Sequence, residues 1–182
     1  MYRILFLLVT SALFCNACTG NREQKNKLTE ELRLFKELPI SLPDNMLVMG
    51  YHGHSADSSL LSRPYKMVIY INEEGCTGCK LQTLMQIQVY ILEHKHLENF
   101  GVIVILHTSQ IEVAERFIYA FRFSQTVFYD LDGSFERLNM HLPKDERFHT
   151  FLLDKENKVV LVGDPTRNTK LKKLYETQLS NI

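Results

Sequence analysis

The chain has 182 residues, with 21 Lys plus Arg against 21 Asp plus Glu, so its formal net charge is zero. That balance, without any block of like charge, lacks the electrostatic footprint of a nucleic-acid binder or of a protein drawn to a polyanionic surface. The length, with no internal repeat or low-complexity tract, suits about one globular domain plus a tether.

At the N-terminus, Arg3 precedes an apolar run from Ile4 to Phe14 and a small-residue exit at Asn16-Ala17. The run is too short for a permanent membrane helix and has the order of a secretory signal, so residues 1–17 are expected to be removed. Cys18 then becomes the first residue and a candidate for lipidation, although Cys15 and Asn16 stand where an aliphatic and a small residue are usual. Residues 18–37 read as a lipidated tether ending in a short helix, where Leu28, Leu32 and Phe35 recur at helical spacing before Pro39 and Pro43. The domain proper is expected over 38–182.

From Asp44 to Pro64 the composition turns to Gly, Ser, His and Asp around Met46, Leu47 and Val48, which predicts a short strand and then loop. Met67 to Ile71 is an apolar run suited to a strand buried on both faces. In the helix that follows, Leu81, Leu84, Met85, Val89 and Leu92 form the expected buried stripe. Val102–Leu106 predicts a second buried strand, Ile111–Phe121 a helix, and Thr126–Tyr129 a third strand, closed by a turn at Asp130-Leu131-Asp132-Gly133. Strand, helix and strand at these lengths imply parallel pairing through right-handed crossovers. Phe151–Leu153 and Val159–Val162 flank a polar turn over 154–158 and read as a hairpin, and Leu171, Leu174, Tyr175 and Leu179 mark a final helix.

Cys76 and Cys79, separated by Thr77-Gly78, stand at the junction of the first core strand and its helix. With Cys15 cleaved away and Cys18 acylated, they are the remaining thiols. A disulfide closing so small a loop stabilises little through chain entropy, so chemistry explains the pair better than stability does.

From about Leu38 to its end, the chain resembles thioredoxin-fold proteins, in particular the membrane-anchored thioredoxin-like lipoproteins of Gram-negative envelopes. The residues that carry the resemblance are Cys76-Thr77-Gly78-Cys79, Asp130 to Phe135 (DLDGSF) before a short helix, and Phe151 to Gly163 (FLLDKENKVVLVG). The resemblance implies an α/β fold of the thioredoxin-like type: a three-layer α/β/α sandwich whose mixed sheet joins a parallel βαβ half to a C-terminal β-hairpin plus helix. It implies a thiol–disulfide oxidoreductase with Cys76 and Cys79 as the catalytic pair. The protein would work without cofactor or resident metal on protein thiols or disulfides in the envelope. It would be exported and held by its lipid on the periplasmic face or outer surface of a bacterial membrane, with no nucleic-acid partner.

In that arrangement Cys76 would open a helix, where unsatisfied N–H groups favour the thiolate, and Cys79 would resolve the mixed disulfide. The chain departs from the family pattern at three places: Gly75 replaces the usual Trp, Tyr70 replaces a buried acid, and Phe148 stands where a cis-proline is usual. A cis peptide before Phe is costly, so a trans peptide is expected there. Arg147 or His149 could then support the Cys76 thiolate while Phe148 shapes an apolar docking groove. Alternatively Cys76, Cys79 and His149 could approach zinc or copper geometry, or the fold could serve as a non-catalytic binding module. Glu74, with Glu73, either relays the Cys79 proton or is a solvated loop charge. His52 and His54 read as surface loop, and His94 and His96 as residues on different faces of a helix.

Overall fold

The computed structural model describes residues 22–50, 56–72, 83–94 and 96–180. Cys18, His52, His54, Glu74, Cys76, Cys79 and Leu81 lie outside the described residues.

The two most apolar runs form the centre of the sheet. Tyr65–Ile71 (β2) pairs in parallel with Phe100–His107 (β3), from Tyr65 opposite Phe100 to Ile71 opposite Leu106. Both are almost wholly buried, as strands covered on two faces must be. Val127–Asp130 (β4) lies parallel to β3, and Leu47–Met49 (β1) pairs with it antiparallel at the far edge. On the other side Thr150–Leu153 (β5) runs antiparallel to β2, and Val159–Val162 (β6) completes the hairpin. Among the described residues the sheet therefore has the order β1-β4-β3-β2-β5-β6.

Alternation along β2 sends Met67, Ile69 and Ile71 to one face and Val68 and Tyr70 to the other. The helix spanning 22–37 is α1, and Leu84–His94 is α2. Ile111–Ala120 is α3, Ser134–Leu138 is α4, and Thr169–Leu179 is α5. Ile87 and Tyr90 of α2, Ile118 of α3 and Tyr175 of α5 cover the first face. Phe35 of α1 and Phe135 of α4 cover the second, with Val68, Ile105 and Phe151. This is the three-layer α/β/α sandwich that the sequence implied.

Local chemistry sets the element ends. The Asn168 side chain accepts from the amides of Lys170 and Leu171 and starts α5. In the hairpin turn, Asn157 takes the left-handed conformation (φ 59°) and Asp154 Oδ1 accepts from the amides of Glu156 and Lys158.

Three expectations are corrected. In α2 the buried residues are Leu84, Ile87 and Tyr90, whereas Met85, Val89 and Leu92 are 40%, 57% and 49% exposed. The helix is apolar around most of its circumference, and the stripe that turns inward carries the Tyr90 ring, set edge-on to Tyr175 at 6.5 Å. Leu174 of α5 is likewise exposed while Tyr175 and Leu179 are buried. The loop after β1 contains a 3₁₀ turn at Ser58–Ser62, which Asp57 caps by accepting from the Ser59 amide.

Candidate functional site

The carboxyl end of β2 stops at Ile71 and the next described helix begins at Leu84, so the segment with Cys76 and Cys79 connects these two elements. What surrounds the end of β2 therefore bears on the site. The register places His149 beside it: the Tyr70 amide donates to the His149 carbonyl at 2.9 Å, one step beyond the Ile69–Thr150 pair.

The approach to β5 is a 3₁₀ turn, Glu146–Phe148, whose cap Asp145 accepts from the Arg147 amide. No cis peptide occurs among the described residues, so Phe148 follows a trans bond. The Arg147 guanidinium is gripped by Asp145, with Nε 2.9 Å from each carboxylate oxygen, and lies 5.8 Å over the Phe148 ring. It is largely exposed, and its hydrogen bonds hold the Asp145 carboxyl below its usual value. His149 is buried, with Nε2 2.8 Å from the Pro143 carbonyl oxygen and its ring 5.4 Å from that of Tyr70. Since a carbonyl only accepts, Nε2 is the donor in this contact. Arg147, Phe148 and His149 thus adjoin one another, with His149 innermost.

Behind Tyr70 lies a polar group that the sequence reading did not single out as a set. Tyr70 Oη donates to Glu136 Oε1 at 3.1 Å, and His107 Nδ1 lies 3.5 Å from Tyr70 Oη. His107 closes β3, and Glu136 belongs to the short α4. That helix is pinned by Asp130, a buried carboxylate whose Oδ1 accepts from the Ser134 amide at 2.9 Å and whose Oδ2 accepts from the Phe135 amide at 2.9 Å. Gly133 makes the turn possible with φ 68°, and a Cβ there would lie 3.1 Å from the His107 ring. Asp132, held by Arg137, is drawn down to about 2. The DLDGSF stretch therefore aims Glu136 at the end of β2.

Other candidates lie elsewhere. His94 ends α2, with its Nδ1 2.9 Å from the Tyr90 carbonyl and its ring stacked on Tyr90 at 4.2 Å. His96 lies exposed beyond the helix rather than on it. A cavity of about 100 Å³, lined by Met49, Glu115, Ile118, Tyr119 and Val127, sits at the amino end of β4, away from this site. Among the described residues no three His, Cys, Asp or Glu side chains gather as a metal site, and no helix is long and apolar enough to cross a membrane.

No family model matches the chain, and no curated protein matches it. Solved structures do. A protein from Chlorobium tepidum named as thiol:disulfide interchange protein DsbE is 20% identical, with a TM-score of 0.54 over 78% of this chain and 95% of that one. The C-terminal domain of a protein from Bacteroides thetaiotaomicron, named as a thiol-disulfide oxidoreductase, gives 13% identity, a TM-score of 0.57, and coverage of 81% and 99%. StoA from Bacillus subtilis gives 15%, 0.51, and 74% and 99%. At these identities the likeness establishes the fold, which is that of thioredoxin.

Proposed function

We propose that the protein is an envelope-anchored thiol–disulfide oxidoreductase whose working pair is Cys76 and Cys79. The observation that carries the reading is the position of a CxxC between β2 and α2 of a thioredoxin fold. The names of the similar solved structures, all thiol–disulfide enzymes or interchange proteins where they state a role, agree with it.

In the reducing direction the Cys76 thiolate attacks one sulfur of a partner disulfide. A Cys76–partner bond forms, and the other partner sulfur leaves with the electron pair and takes a proton. Cys79, deprotonated, then attacks Cys76 Sγ, closing the Cys76–Cys79 disulfide and expelling the second partner thiolate, which is protonated in turn. The pair loses two electrons and two protons, and the partner gains both. To His149 and Phe148, which lie beside the end of β2, we assign the shaping of a groove for the partner chain, with Arg147 and its Asp145 at the rim.

The test is reduction of the insulin interchain disulfides by dithiothreitol with and without the protein. Wild type should accelerate the reaction, Cys76→Ser should not, and Cys79→Ser should accumulate a mixed disulfide visible on a non-reducing gel. Equal rates for wild type and Cys76→Ser would end the reading.

A further inference from the structure

We infer that the cavity at the amino end of β4 is a binding site for a primary ammonium group on a short aliphatic stem. The inference does not depend on the dithiol reading: the cavity is built from β1, α3 and the start of β4, none of which carries a cysteine.

These three elements meet at the β1 edge of the sheet. Met49 pairs with Val127 across the β1–β4 ladder, and Ile118 of α3 belongs to the same packed cluster, so one side of the cavity is apolar. Glu115, one helical turn before Ile118, and Gln125, just before β4, supply its polar side. Tyr119, 60% exposed, marks where the cavity meets the surface. The volume is about 100 Å³. A dry apolar cavity of roughly 150 Å³ takes benzene, so this one has room for about four heavy atoms.

Glu115 decides the charge of the ligand. Its Oε1 accepts from the hydroxyl of Tyr129, a buried side chain that fixes the carboxylate, and among the described residues no ion pair or second hydrogen bond reaches it. Arg116 and Arg122, the cations nearest in sequence, are exposed and line no part of the cavity. A partly buried carboxylate without a counter-ion thus borders an apolar hollow. The orientation of Gln125 follows from its neighbour. The Ser124 hydroxyl donates to Gln88 Oε1 and so accepts from Gln125 Nε2, which leaves Gln125 Oε1 as a second acceptor.

An ammonium satisfies this arrangement by donating to Glu115 and Gln125 and giving its third hydrogen to water, with its stem on Met49, Ile118 and Val127. A guanidinium fits less well, because Tyr129 already takes one carboxylate oxygen and the planar fork uses both. One carboxylate and one amide are too few oxygen ligands for a divalent cation, and an anion would meet the charge of Glu115.

The experiment titrates the isotope-labelled full chain with n-propylammonium chloride at fixed ionic strength and follows its amide NMR signals. Those of Met49, Ile118, Gln125 and Val127 should move, with a Kd on the order of 1 mM for so small a ligand. The neutral isostere 1-propanol should bind about tenfold more weakly. Glu115→Gln, which keeps an acceptor for Tyr129, should weaken propylammonium about tenfold and leave 1-propanol unchanged. Gln125→Glu, which adds a second carboxylate, should tighten propylammonium about threefold, and it decides alone if Glu115→Gln melts below the working temperature. Nα-acetyl-lysine methylamide separates the sources of the ligand: binding of both probes assigns the cavity to a lysyl side chain, and binding of propylammonium alone assigns it to a free amine. Unmoved signals, equal affinity for 1-propanol, or a folded Glu115→Gln that binds propylammonium as wild type does overturns the inference.

Discussion

His141 shows how one residue ties stability to pH. Its Nε2 is shut away from solvent with no hydrogen-bond partner among the described residues, and its ring lies 6.3 Å from that of Phe35. Burial holds its pKa below the ordinary 6.5, so the fold favours the neutral ring. The unfolded chain then binds the proton more readily. The associated stability is fully present above about pH 6.5 and is lost as the pH falls through the folded value. We expect the melting temperature of His141→Gln to drop less than that of wild type between about pH 7 and about pH 5; parallel curves would refute this. Such a residue was hard to see in the sequence, where nothing around His141 in Met140-His141-Leu142-Pro143 marks it as buried. Arg147 was half legible. Its charge near the dithiol loop stood out, but the decisive neighbour is Asp145, two residues earlier, whose fork absorbs the guanidinium. Asp130 was legible as the start of the turn Asp130-Leu131-Asp132-Gly133, but not in its consequence, which is the aim of Glu136.

At the level of elements, the strands were readable because β2 and β3 are unbroken apolar runs and only a doubly covered strand tolerates that composition. The buried face of α2 was not, because Leu84, Met85, Ile87, Val89, Ile91 and Leu92 supply two competing stripes and periodicity cannot choose between them. In α1 a single stripe existed and was read correctly: Leu28 and Leu32 are partly buried and Phe35 fully. Phe35 meets Phe151 edge-on at 5.0 Å, the Ile40 amide donates to the Asn157 carbonyl, and Asn139 clasps both the amide and the carbonyl of Ser41. The helix is therefore docked on the domain, and Phe35 is its one fully buried side chain. Phe35→Ala should cost about 3 kcal/mol, within the range for truncating a buried aromatic. It should also open residues 22–38 to protease, as read by the appearance of a shortened domain on limited digestion. An unchanged melting temperature together with an unchanged digestion pattern would show that α1 contributes no packing.

For the whole molecule, the docking of α1 limits how far the domain can stand from whatever holds its N-terminus. A helix rises about 1.5 Å per residue, so the stretch from residue 22 to Phe35 spans roughly 20 Å. Were Cys18 acylated as proposed, that stretch and a few preceding residues would be the spacer, and the domain would work close to the bilayer. Partners arriving at the dithiol would then be proteins of the same membrane or of the envelope space beside it. The sequence supports this through the Ile4–Phe14 run and the exit before Cys18, while the core holding the fold together begins at Phe35. Attachment and folding should therefore separate cleanly. Cys18→Ala should move the protein from the membrane fraction to the soluble one, leave its melting temperature unchanged, and keep disulfide exchange with insulin at the wild-type rate. Retention of the variant in carbonate-washed membranes, with no acyl mass on the wild-type N-terminal peptide, would show that the anchor lies elsewhere.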